Sequence, residues 1–180
     1  MRLAEGMTCM RRTALVIRVP EAESAVGGWC ARLASDAVLG VPAHITVLFP
    51  FVASDEFDHD VRARLASALG SLAAFEFALV RTAWFGDDVL WLAPDDDRRI
   101  RTVISAAERA FPTLRPYGGA YDETIPHLTV GDRKPHSELV TAENDVTANL
   151  PIRCRVETVT LLEEQGDGKW QAAEEFPLGS

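Results

Sequence analysis

The chain has 180 residues, 47% of them hydrophobic and 25% charged, with a net charge of −9. That length and balance suit one globular domain with its own core and exclude a disordered chain. The acidity argues against broad electrostatic capture of duplex DNA, which needs a basic footprint, but leaves room for a short or terminal phosphate held by a few donors.

The three cysteines, Cys9, Cys30 and Cys154, are odd in number and far apart. Neither a disulfide framework nor a paired-cysteine metal knuckle fits, and reduced thiols are expected. Arg11 and Arg12 precede an apolar run, Ala14 to Val19. It is too short for a signal segment and has no small-residue cleavage site. No window approaches a membrane span, and the cytoplasm is the expected location.

The first element is "TALVIRV", a short β-branched run that predicts a buried strand stopped by Pro20. Ala22, Val26, Trp29, Cys30 and Leu33 then follow a helical period, and "AHITVLF" is a second strand. Val61, Leu65, Ala68, Leu69 and Leu72 give a second helix. "AAFEFALVRT" and "DVLWLAP" read as strands joined by a hairpin turn at "WFGDD".

There the pattern restarts. "VLWLAPDDD" parallels "LVIRVPEAE" as an apolar strand, a proline, and acids suited to a first helical turn. Ile100, Val103, Ile104, Ala107 and Phe111 form the next helical stripe. The loop "PTLRPYGGAYDET" leads into the strand "IPHLTVG". A weaker helix follows around Leu139, Val146 and Leu150, with Ser137 as its candidate N-cap. Finally "IRCRVETVTLLEE" and "KWQAAEEF" flank the hairpin signal "QGDG".

The expected fold is therefore α+β, a bilobal pseudo-twofold duplication of a β-α-β-α-β unit. Two mixed or antiparallel sheets would line a central cleft, with helices outside. Residues 1–12 read as an N-terminal extension and 13–180 as a single domain, whose lobes come from repeats over roughly 13–86 and 87–178.

Both repeats carry a polar interruption in an apolar strand, "PAHITV" and "IPHLTV". Alternation places His44 and Thr46 on one face, opposite Ile45 and Val47; His127 and Thr129 pair likewise against Leu128 and Val130. If a pseudo-twofold relates the halves, these polar faces converge across the cleft. Displacement at phosphorus needs a base on the attacking oxygen and an acid on the leaving oxygen, and two histidines can supply both near neutral pH. Two threonine hydroxyls can donate to the non-bridging oxygens.

These paired His-x-Thr-hydrophobic motifs, and their spacing, resemble those of the 2H phosphoesterases. That group includes bacterial RNA 2',5'-ligase-like proteins and cyclic nucleotide phosphodiesterases. The resemblance spans nearly the whole chain. It implies hydrolysis of a 2',3'-cyclic phosphate or a related cyclic or 2',5'-linked diester, without metal or cofactor. It also implies His44 and His127 as the acid–base pair, with Thr46 and Thr129 as phosphate donors. RNA 2',5'-ligation and a non-catalytic phosphate-binding sensor are the alternatives. The partner is expected to be a small nucleotide or RNA terminus, with neither membrane nor duplex DNA involved, and the protein a monomer. Because the two motifs have near-identical surroundings, the sequence assigns neither histidine to acid or base.

Arg133 keeps the parity of His127 and Thr129 and is a candidate for the cleft. Tyr117, Tyr121 and Arg115, on the loop before the second motif, could stack on a base or hold a phosphate. His59, in "DEFDHDVR", reads as a solvated helix start, and "PDDDRR" as negative charge at a helix N-terminus. Trp84 and Trp91 flank the first hairpin and Trp170 follows the second; Trp91 is read as core packing first, with a cleft aromatic as its alternative.

Overall fold

The computed structural model describes residues 11–120 and 124–179. Cys9, Tyr121 and most of the N-terminal extension lie outside the described residues.

The strands are β1 (Thr13–Arg18), β2 (His44–Leu48), β3 (Phe75–Phe85), β4 (Val89–Pro94), β5 (Leu128–Asp132), β6 (Ile152–Val156), β7 (Thr158–Glu164) and β8 (Trp170–Pro177). They form two four-stranded sheets ordered β2-β1-β7-β8 and β5-β4-β3-β6. Every strand pair is antiparallel. The two sheets share one plan. A motif strand lies at the edge, the strand that opens its repeat lies beside it, and a strand from one of the two hairpins comes third.

The sheets cut across sequence order. Strand β3 precedes the point where the pattern restarts, yet it pairs with β4 and β6, while β7 and β8 complete the sheet begun by β1 and β2. The run "IRCRVETVTLLEE" is accordingly two strands, not one. Ile152, Cys154 and Val156 bury one face of β6 against β3; beyond the exposed Glu157 the chain joins β1 and β8 in the other sheet.

Four helices cover the sheets: α1 (Glu23–Leu33), α2 (His59–Gly70), α3 (Arg98–Ala110) and α4 (His136–Thr147). Each buries the apolar stripe that its spacing requires, for example Ile100, Val103, Ile104 and Ala107 of α3. At the start of α2 the Asp58 carboxylate accepts the Val61 N–H at 2.9 Å. Helix α4 has Pro135 as its N-cap, so Ser137 sits inside the helix instead of capping it. Proline's fixed φ, here −52°, pre-sets the chain for the helical turn that follows.

The helices cross between lobes. Helix α1, which follows β1, packs on β5 of the other sheet, and α3, which follows β4, packs on β2. One continuous core results, from Leu15, Ile17 and Ile45 to Leu92, Leu128 and Val130. At about 1.5–3 kcal/mol for each fully buried aliphatic side chain, this shared core fixes one sheet against the other. No helix among the described residues is long and apolar enough to cross a membrane.

Candidate active site

The motif strands β2 and β5 are the edge strands that meet across the seam between the sheets. Ile45 and Val47 are buried toward the helices, while His44 and Thr46 are half-buried on the opposite face. In the second copy Leu128 and Val130 are buried, and His127 and Thr129 are half-buried. Underneath, the Cys30 thiol on α1 contacts the Thr129 carbonyl at 3.5 Å. Cys30 and Cys154 are both free and buried, and burial pushes the pKa of each thiol up to about 12.

The two rings are anchored in the same way. His44 Nδ1 lies 2.9 Å from the Pro42 carbonyl, and His127 Nδ1 lies 2.7 Å from the Ile125 carbonyl, each two residues upstream. A carbonyl only accepts, so Nδ1 carries the hydrogen in both rings. Nε2 is then the nitrogen free to exchange a proton with a ligand.

Beyond that anchor the symmetry ends. The His127 ring stands edge-on to Phe85 with centroids 5.0 Å apart, and 5.7 Å from Trp91, which itself stacks on Phe85 at 4.7 Å. Burial there lowers the pKa of His127; the bond to the Ile125 carbonyl opposes the shift, and the charge of His44 adds to it. Among the described residues no aromatic ring packs against His44 in this way. The His44 Nε2 instead lies 3.8 Å from an Asp36 carboxylate oxygen.

A cavity of about 500 Å³ opens between the lobes, and His44, Thr46, Thr129, Arg133, Asp36 and Tyr117 are among its lining residues. Arg133 reaches it from a left-handed position, φ 53°, with its N–H on the Asp88 carbonyl at 3.0 Å. Of the other candidate binding residues, Arg115 is exposed and lies outside this lining, and Tyr121 lies outside the described residues.

Trp91 is buried but does not serve the core alone. It pairs with Thr129 in the β4–β5 register and borders His127, and its indole N–H has no hydrogen-bond partner among the described residues. Asp36 and Phe85 carry no signal of their own in the sequence. Asp36 lies in the loop after α1, and Phe85 reaches His127 only through the β3–β4–β5 register. Both uses that the sequence left open for Trp91 are met, since it is buried and also borders His127. His59 is exposed at the start of α2, and the acidic run pairs at the start of α3 as Asp96–Arg98 and Asp97–Arg101.

A family model described as the 2'-5' RNA ligase superfamily matches residues 18–168. The chain belongs to that superfamily, the 2H phosphoesterase family. The solved structure of TT0787 of Thermus thermophilus is 18% identical with a TM-score of 0.62, covering 94% of this chain and 99% of that one. E. coli LigT complexed with 3'-AMP is 16% identical with a TM-score of 0.58, over 94% and 99% of the two chains. E. coli LigT complexed with NADP+ is 16% identical, with a TM-score of 0.55 over 94% and 98%. The mixed α+β fold with two four-stranded antiparallel sheets is the LigT-like fold. No curated protein matches the sequence significantly.

Proposed function

We propose that the protein is a metal-independent phosphodiesterase that hydrolyses a 2',3'-cyclic phosphate, or a related cyclic or 2',5'-linked diester, on a nucleotide or RNA end. The observation that carries this reading is the pair of His-x-Thr strands at one seam, each histidine anchored at Nδ1 with Nε2 left for proton exchange. The superfamily and the nucleotides named in the LigT structures agree with a small nucleotide substrate.

Burial divides the labour between the histidines. A lowered pKa keeps His127 neutral, the form a base requires. It takes a proton from water as the water oxygen attacks phosphorus. The general-acid role then falls to His44, whose Nε2 lies 3.8 Å from the Asp36 carboxylate and gives a proton to the ribose oxygen as the P–O bond breaks. One water is consumed and one monoester forms; exchange with solvent then resets both rings. Thr46 and Thr129 donate to the non-bridging oxygens, where charge builds, and Arg133 adds a cation at the cavity wall.

RNA 2',5'-ligation is the same displacement on a 2',3'-cyclic phosphate with a ribose hydroxyl in place of water as the nucleophile, and the superfamily's name keeps it as the second reading. Turnover of a 2',3'-cyclic nucleotide in ¹⁸O-water separates the two. Hydrolysis places one ¹⁸O in the phosphomonoester product. A ligase supplied with two RNA ends forms a linear diester carrying none.

A further inference from the structure

A cavity suited to a phosphate carries a carboxylate on its wall. Asp36 lies in the loop after α1, and its backbone is held on both sides. Its carbonyl accepts the Leu39 N–H at 2.9 Å and the Val41 N–H at 3.3 Å, while the preceding Ser35 is bonded to Asp132. The Asp36 side chain is 43% exposed and lines the cavity, with one oxygen 3.8 Å from His44 Nε2. It stands before the short 3₁₀ turn Ala37–Leu39 but accepts no capping bond from it. Among the described residues His44 is its one ion-pair partner. The fold gains little from this carboxylate, so its use is sought in the cavity.

The charges around it can be counted. Near neutral pH the lining side chains able to carry charge are Arg12, Asp36, His44 and Arg133. Arg12 is matched by Glu164 through two bonds of 2.8 Å. His127, whose pKa burial lowers, adds no charge. Asp36 and Arg133 offset each other, so the acid form of His44 leaves one net positive charge. That balances a monoanion and falls one charge short of a dianion. Hydrolysis makes just this change. A cyclic diester carries one negative charge; addition of water breaks one P–O bond and gives a monoester, whose second ionisation, with a pKa of about 6, releases a proton and adds a second charge.

We infer that Asp36 is a specificity-determining residue, whose fixed negative charge beside His44 admits the monoanionic diester and expels the dianionic monoester. This rests on the phosphodiesterase reading given above. The pairing with His44 serves both stages of the reaction. Before it, the carboxylate faces the acid form of the ring, and the two charges cancel. Once the ring has given up its proton, nothing screens Asp36, and the second charge of the product meets a bare carboxylate. Release of product is thereby tied to completed proton transfer. The same repulsion discriminates against any nucleotide that offers the site a terminal phosphate instead of a diester.

The test uses nucleotides that cannot cyclise, at about pH 8, where a phosphate monoester is a dianion. Calorimetry compares 3'-deoxyadenosine 2'-monophosphate with its methyl ester, and 2'-deoxyadenosine 3'-monophosphate with its methyl ester, which covers either direction of ring opening. The members of each pair differ by one charge. Wild type should bind the methyl ester at least as tightly as the monoester. Asp36→Asn should shift that ratio toward the monoester by about 10-fold, between the Coulomb limits for water and for a partly buried pair of charges. Asp36→Glu should keep most of the wild-type ratio, and added salt should shrink the shift in Asp36→Asn. A merely structural role would weaken both members of a pair alike. A ratio unchanged in Asp36→Asn, a wild type that prefers the monoester, or no binding of either ligand overturns the inference. Turnover of adenosine 2',3'-cyclic phosphate is followed in parallel. Turnover with an unchanged ratio removes the role of Asp36 and keeps the hydrolase; a shifted ratio without turnover keeps that role in a binding domain and removes the hydrolase.

Discussion

The carboxylate of Asp132 accepts two hydrogen bonds from Ser35, one from its backbone N–H at 2.6 Å and one from its hydroxyl at 2.8 Å. This joins the end of β5 in one sheet to the loop that leaves α1, and the next residue along that loop is Asp36, the carboxylate beside His44. One contact thus spans the seam and sets the position of a group at the site. Asp132→Ala should cost about 1–3 kcal/mol, the usual range for losing charged hydrogen bonds, seen as a lowered denaturation midpoint at unchanged slope. Its residual activity should fall further than that of a comparably destabilised core variant far from the seam.

On the proposed mechanism the acid limb of the pH–rate profile should belong to His127. Its pKa lies below the ordinary histidine value, chiefly through burial, so the base form persists as pH falls below about 6.5, the unperturbed value. Phe85→Ala opens the aromatic wall, so the limb should move up toward that value. NMR titration of the His127 ring reads the same shift without turnover. For stability, the folded pKa is the lower one, so the unfolded chain binds the proton first. The contribution is present above the unfolded value and is lost as pH falls from there through the folded pKa.

Much of this was legible in the sequence, for a physical reason. Strand alternation and helical stripes are local, and they marked all four helices and most of the strands. The polar face of the His-x-Thr strands was equally local, because residues i and i+2 share a side of any strand. What stayed hidden depends on which strand lies next to which. Nothing local says that Val156 and Thr158 belong to different sheets, that Phe85 reaches His127, or that Asp36 folds back beside His44. The difference between two near-identical histidines arises wholly from such neighbours.

Gly131 follows the second motif on β5, and a Cβ there would sit 2.7 Å from Leu139 Cδ2 and 2.7 Å from Leu33 Cβ. Helices α1 and α4 therefore close over β5 with no room for a methyl group. Gly131→Ala should destabilise the fold by about 1–3 kcal/mol, as overpacking of a filled core does. Thermal unfolding checks this, and a variant as stable as wild type would show that α1 or α4 yields.

Thr46 and Thr129 should matter in the transition state and little in the ground state. Thr46→Val and Thr129→Val keep the β-branched shape and remove only the hydroxyl. Each should lower kcat on the order of 100-fold, as loss of one oxyanion donor does, with KM nearly unchanged. A loss appearing only in KM would make the hydroxyls ground-state binders.

Catalysis by two histidines without a metal is best tested by turnover of the four nucleoside 2',3'-cyclic monophosphates in excess EDTA, comparing wild type with His44→Ala and His127→Ala. Wild type should turn over at least one of them undiminished by the chelator. Each variant should lose about 100- to 10,000-fold, the usual contribution of a general acid or base. Wild-type activity that vanishes in EDTA, or that survives loss of either histidine, would contradict the two-histidine mechanism.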